Sequence, residues 1–405
     1  MKRKNYLLKT MWVFMAMTCN TLLIAQNPSI SIEELSEKYN PLQKELRTCF
    51  DNKQFEQGIK VVNEMVQVFD RLPEAGRQQF KQVQATNYYN LACFYSLQNK
   101  KKQAIAAFEK CVTEYGYLNY AHAKADTDLD NIRNDKRFKE LMAGIQEKSD
   151  YKYILQQAGG YVKTDTTGLP HFFYEPATNA RLQDVKNYFK LDSVAGPSDE
   201  ISKIINLMTW VHDNIRHDGS NYALCEFDAI DFYHYYKATG KGINCRGMAI
   251  TLNECYLAMG FPSRFVICMP KDENDPDCHV INCVYSSTLK KWIWMDPSFN
   301  AYVKDENGNL LSIEEVRERL INDKPLVLNP DANHNQTEKQ TKENYLDSYM
   351  AKNLYWIQCP LISKFNPESR YRNNTERYVS LLPSGFQNTD KKIATSDPAY
   401  FWQEP

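Results

Sequence analysis

A cysteine attacks a carbonyl only as its thiolate, and Cys245 stands where a thiolate would form. Gly240 and Gly242 mark a turn just before it, and the run CRGMAITLNECYLAM after it is largely apolar. The spacing predicts a helix from about Cys245 to Met259, ended by Gly260 and blocked from continuing by Pro262. A thiol at a helix start meets partial positive charge and free N–H groups, which bring it from about 8.5 to roughly 3.5–7.5. The same N–H groups suit the oxyanion of a tetrahedral intermediate. The base must come from elsewhere in the chain, and His279, leading the run HVINCVY, can supply it. Asp296, in WMDPS on the next strand, can orient the imidazole by accepting its Nδ1–H. With a turn near Ser287 to Lys290, antiparallel pairing sets His279 and Asp296 side by side. These three residues, Cys245, His279 and Asp296, are the candidate catalytic set.

Each has a plainer alternative: a core thiol, a strand-edge histidine, an aspartate capping a turn before Pro297. A zinc site from Cys278, His279, Cys283 and Asp296 competes, since all four are ligand types. Strand alternation argues against it, because His279 and Cys283 lie about 13 Å apart on an extended chain and Cys278 points the other way. The loop bearing Asp272, Glu273, Asp275 and Asp277 lacks calcium-ligand spacing and reads as a solvated acidic turn. No metal or cofactor is therefore expected. His122, His171, His212, His217, His234 and His334 have no partner block and read as structural or surface residues.

The positioning elements follow from periodicity. Residues 201–216 place Ile201, Ile204, Ile205, Met208, Val211 and Ile215 on one stripe, a core-facing helix. After the Cys245 helix, SRFVICM, HVINCVY and KWIWMDPS read as three strands of an antiparallel meander. Helix followed by meander predicts an α+β domain over 165–325 rather than a doubly wound sheet. Residues 35–150 contain almost no Gly or Pro and carry helical periodicity throughout, predicting a separate all-helical domain. The stretch 326–405 starts polar and ends in aromatics that need burial, so it is expected to pack back on the second domain.

Two resemblances emerge. GINCRGMAITLNECYLAMGFPSRFV, CHVINCVY and KKWIWMDPSF together resemble the three signature blocks of the transglutaminase-like superfamily, over roughly residues 170–325. The resemblance implies a papain-like cysteine enzyme fold with Cys245 as nucleophile, His279 as general acid/base and Asp296 as orienter. It also implies a further oxyanion donor, for which Trp210, Tyr235 and Tyr236 are candidates. Arg246 after the nucleophile and Val280 after the histidine depart from many relatives and bear on the substrate cleft. In the helical region, Tyr88, Leu91, Ala92, Tyr95, Ala104, Phe108 and Cys111 resemble one tetratricopeptide repeat, departing at Gly116 where Pro is usual. That implies either a docking platform for a protein partner or a short helical domain.

The chain of 405 residues has a formal net charge of −1, so neither nucleic acid nor an anionic membrane surface is favoured as a partner. Lys2, Arg3, Lys4 and Lys9, followed by MWVFMAM and the small residue Ala25, read as a signal peptide over 1–25. Polar residues 18–21 cut the apolar run short of a membrane span. Export to the periplasm or outside the cell is expected, with lipid anchoring at Cys19 as an alternative. Of 11 cysteines, Cys93, Cys111 and Cys255 sit at apolar helical positions and read as core residues. The expected activity is acyl transfer on a protein or peptide amide, hydrolysis rather than cross-linking, with a non-catalytic binding module as the competing class. Removal of glycans from asparagine is a narrower option within the resemblance.

Overall fold

The computed structural model describes residues 29–369, 377–387 and 393–405. The expected signal peptide and Cys19 lie outside these residues. The chain divides into two compact units, one running to Tyr117 and including His122–Met142, the other comprising Leu118–Ala121 and Ala143–Pro405.

The first unit is helical: α1 (Ile32–Asp51), α2 (Phe55–Asp70), α3 (Lys81–Leu97) and α4 (Lys101–Thr113), with α5 (Lys136–Ser149) crossing the boundary. A capping box fixes the start of α1, where Ser31 and Glu34 satisfy each other's backbone N–H groups. Gly58 on α2 receives the ring of Phe94, which leaves no room for a Cβ (2.4 Å to the ring). Phe94 also stacks on Phe50 at 4.1 Å. Cys93 and Cys111 are buried, as expected of core thiols.

The second unit is α+β, built on a six-stranded sheet: β1 (Ser263–Met269), β2 (His279–Ser286), β3 (Lys291–Met295), β4 (Trp356–Pro360), β5 (Tyr378–Leu381) and β6 (Ala394–Thr395). Its order is β6-β5-β4-β1-β2-β3, antiparallel except for β5 with β6. The meander read from the sequence is thus half of the sheet. The C-terminal stretch supplies the other half by laying β4 against β1, with Ile267 opposite Gln358.

Both faces of the sheet are covered. On one lie α6 (Ala180–Phe189), α7 (Glu200–Asn214), α8 (Ala229–Thr239) and α9 (Cys245–Ala258). From Gly247 to Ala258 every residue of α9 is buried, so this helix is enclosed all round. On the other face Trp294, Tyr345, Met350 and Phe401 form a second apolar layer with α10 (Ile313–Ile321). Arg264 is wholly buried in β1. Its guanidinium lies 4.4 Å from the rings of both Phe172 and Trp292 and donates to the Phe401 carbonyl at 2.9 Å.

Candidate active site

Cys245 is the first residue of α9, as its sequence context predicts. Asn244 caps the helix, its side-chain oxygen accepting from the Gly247 N–H at 3.0 Å. By helix geometry the first-turn N–H groups ahead of Gly247 have no intrahelical acceptor. The helix is tied to the sheet by Asn282 of β2, whose Nδ2 donates to the Ala249 carbonyl at 2.9 Å.

His279 opens β2 and Asp296 directly follows β3, both fully buried. The predicted side-by-side pairing is corrected by the register: Asn282 faces Met295 and Ser286 faces Lys291. His279 and Asp296 are therefore diagonal neighbours, and the reach across the diagonal uses the far nitrogen of the ring. His279 Nε2, not the expected Nδ1, meets Asp296 Oδ2 at 2.7 Å. A carboxylate can only accept, so Nε2 carries a proton and Nδ1 is left for the sulfur.

Asp296 is itself held from two more directions. The Ser298 N–H donates to Oδ1 at 2.8 Å, and the Tyr345 hydroxyl donates to Oδ2 at 2.6 Å. Burial would raise its pKa, but the His279 charge and these donors hold it below the usual carboxylate range. Burial likewise opposes the charged form of His279, and Asp296 together with the Cys245 sulfur overrides it, raising the imidazole to about 10. For Cys245, burial pushes the thiol up, while the nearby His217 and His279 rings and the His279 charge bring it down to about 6. The arrangement favours a thiolate–imidazolium pair.

Sequence reasoning missed three residues here. His217, read as structural or surface, faces the Cys245 thiol. His334 stands 2.9 Å from the far side of the His217 ring. Tyr345, just past the polar start of the C-terminal stretch, donates to Asp296. No local pattern marked them, because none of them lies in one of the three signature blocks that carry Cys245, His279 and Asp296. Phe299, in the quoted block KKWIWMDPSF, packs against His279 at 5.6 Å and His217 at 6.3 Å.

Of the oxyanion candidates, Trp210 packs on Phe189 and Tyr233, and the Tyr235 hydroxyl meets Asn221. The acidic turn is not wholly solvated, since Lys352 Nζ donates to Asp275 at 3.0 Å and Asp277 at 2.6 Å. Among the described residues all ten cysteines are free thiols. Among the described residues Cys278 and Cys283 do not group with His279 and Asp296, and ligand-type atoms within 4.8 Å of one another are found at Cys93, Asp126 and Asp128 in the helical unit. No described helix is long and apolar enough to cross a membrane.

The sequence model of the Transglutaminase-like superfamily matches residues 188–297. That segment is similar to the core of transglutaminase-like proteins. The match runs from the end of α6 through Asp296, taking in all three candidate residues. None of the curated proteins compared matches the chain. Among solved structures, a candidate cysteine protease from Cytophaga hutchinsonii is similar at 18% identity over 38% of this chain and 47% of that one, with a TM-score of 0.23. The chain thus spans about half the length of that protein.

Proposed function

We infer that this protein is a cysteine enzyme that transfers acyl groups from amide substrates, with Cys245, His279 and Asp296 as its triad. The observation that carries this reading is the buried His279–Asp296 contact of 2.7 Å, which leaves Nδ1 for a thiol at a helix N-terminus. In the first half-reaction the Cys245 thiolate attacks the amide carbonyl, and His279 Nδ1–H gives its proton to the departing amine. First-turn N–H groups of α9 stabilise the oxyanion. In the second, neutral His279 takes a proton from the incoming nucleophile as it attacks the thioester, the carbon–sulfur bond breaks to release the acyl product, and the thiolate–imidazolium pair is restored.

Water as that nucleophile gives a peptidase or amidase, and lysine gives a cross-link. Hydrolysis is the preferred direction, because no residue pattern in the sequence marks a site for an amine acceptor. Export, with the helical unit as a surface for a protein partner, completes the proposal.

The test is iodoacetamide alkylation of the full chain across pH 5 to 9, alongside Cys245→Ala and His279→Ala, followed by amide-substrate screening. One fast thiol, lost in Cys245→Ala and slowed in His279→Ala, is expected. Uniformly slow labelling, indifferent to both changes, sinks the enzyme.

A further inference from the structure

The acyl-transfer mechanism leaves one polar group at the sulfur without a task. The segment Arg216–Asp218 lies alongside Gly242 and Ile243, which lead into Cys245. The Ile243 N–H donates to the Arg216 carbonyl at 2.9 Å, and the Asp218 N–H to the Ile243 carbonyl at 2.7 Å. Gly242 permits this approach, since a Cβ there would lie 2.6 Å from the Arg216 carbonyl oxygen. His217 is thereby fixed beside the helix start. Its Nε2 is buried without a hydrogen-bond partner, and the ring lies close enough to the Cys245 thiol to lower its pKa.

The other side of the ring is equally built. Nδ1 of His217 lies 2.9 Å from Nε2 of His334. His334 sits on a hairpin, Asn333–His334 against Glu338–Lys339, that turns through Asn335 and Gln336, both at positive φ. Asn335 clasps the His217 backbone from both sides. It accepts from the His217 N–H at 2.8 Å and donates to the His217 carbonyl at 3.0 Å. His212 anchors the same hairpin to the Asp296 turn, meeting Asn333 Oδ1 at 3.0 Å and the Pro297 carbonyl at 3.1 Å.

Proton counting sets the roles. A neutral imidazole has one N–H and one lone pair, and a thiolate only accepts. With the nitrogen facing the sulfur as the donor, His217 Nδ1 accepts and His334 Nε2 donates to it; Asn335 Nδ2, itself a donor 3.4 Å from the same His334 Nε2, is then satisfied by the His217 carbonyl alone. We propose that His217 is a second histidine of the nucleophile, donating Nε2–H to the Cys245 sulfur in the tautomer that His334 imposes. This builds on the proposed function, and His334 acts as a positioning residue. Burial first, then the adjacent His217, keeps His334 below its ordinary pKa, in line with a neutral ring. The titratable and charged groups around the pair are Cys245, His279 backed by Asp296, Arg216, Asp218, His212 and Glu338.

The experiment is the alkylation rate of Cys245 against pH in the full chain, read by intact mass, with circular dichroism to check folding. His217→Phe moves the acid limb upward by about one pH unit, or about tenfold less alkylation on that limb. His217→Gln, which keeps a donor, recovers most of the loss. His334→Phe shifts the limb the same way and adds nothing in the His217→Phe background. Independent of any variant's folding, imidazole ¹⁵N shifts of the wild-type chain near pH 7 place the His217 proton on Nε2. A fast, His279-dependent Cys245 whose limb ignores His217 overturns the proposal and leaves acyl transfer intact. A Cys245 no faster than an ordinary thiol overturns both, and an Nδ1–H tautomer overturns the assigned roles of the two rings.

Discussion

At the residue scale the chemistry rests on charges that burial alone would forbid. In the proposed acyl transfer, a Cys245 thiol brought down to about 6 and a His279 imidazole raised to about 10 give an ion pair in the window between. As pH falls through the lower value the sulfur is protonated; as it rises through the upper value the general acid is lost. Single-turnover rates on an amide substrate are therefore expected to be bell-shaped, with a plateau between these limits and about tenfold loss per unit outside. Tyr345 belongs to the same balance. Tyr345→Phe removes a hydrogen bond to a buried carboxylate and is expected to cost about 1.5–3 kcal/mol in urea unfolding. It is also expected to slow Cys245 alkylation several-fold, because Asp296 then holds His279 with fewer constraints.

Elements place these residues through close approaches that admit little change. Gly242→Ala puts a methyl carbon against the Arg216 carbonyl, and backbone there cannot swing aside as a side chain would. We expect a loss of about 1–3 kcal/mol, with Cys245 labelling slowed because the segment carrying His217 is pushed off the helix start. Thermal unfolding and the labelling rate check the two effects separately. Arg264 shows the same dependence in β1, since its planar guanidinium fills a slot between Phe172 and Trp292. Lysine keeps the charge but cannot stack, so Arg264→Lys is expected to cost about 2 kcal/mol or more by chemical denaturation.

For the second unit as a whole, the C-terminal stretch is part of the architecture. It contributes β4 to the middle of the sheet, the hydroxyl on Asp296 and the wall containing Phe401. Ending the chain at residue 340 exposes the edge of β1 and unroofs one face of the sheet. The shortened protein is expected to be insoluble on expression, or to lack a cooperative thermal transition. A soluble, cooperatively folding product that still labels at Cys245 would contradict this account.

The sequence by itself determined what local chemistry can encode. A turn marked by Gly240 and Gly242, an apolar run and Gly260 specify a helix that begins at Cys245, and alternating apolar runs specify strands led by His279 and ended before Asp296. Periodicity and capping act over a few residues, so they are legible without a fold. Tertiary structure decided the rest. A register shifted from side-by-side to diagonal selects Nε2 as the nitrogen that meets Asp296, because period-2 patterns fix which face a side chain takes but not which residue it opposes. Tyr345 reaches the site from a helix, His334 from a hairpin and His217 from the segment after Asn214, and nothing in their own neighbourhoods marks them. Their roles come from backbone hydrogen bonds between distant segments, and only the assembled sheet and its coverings bring those segments together.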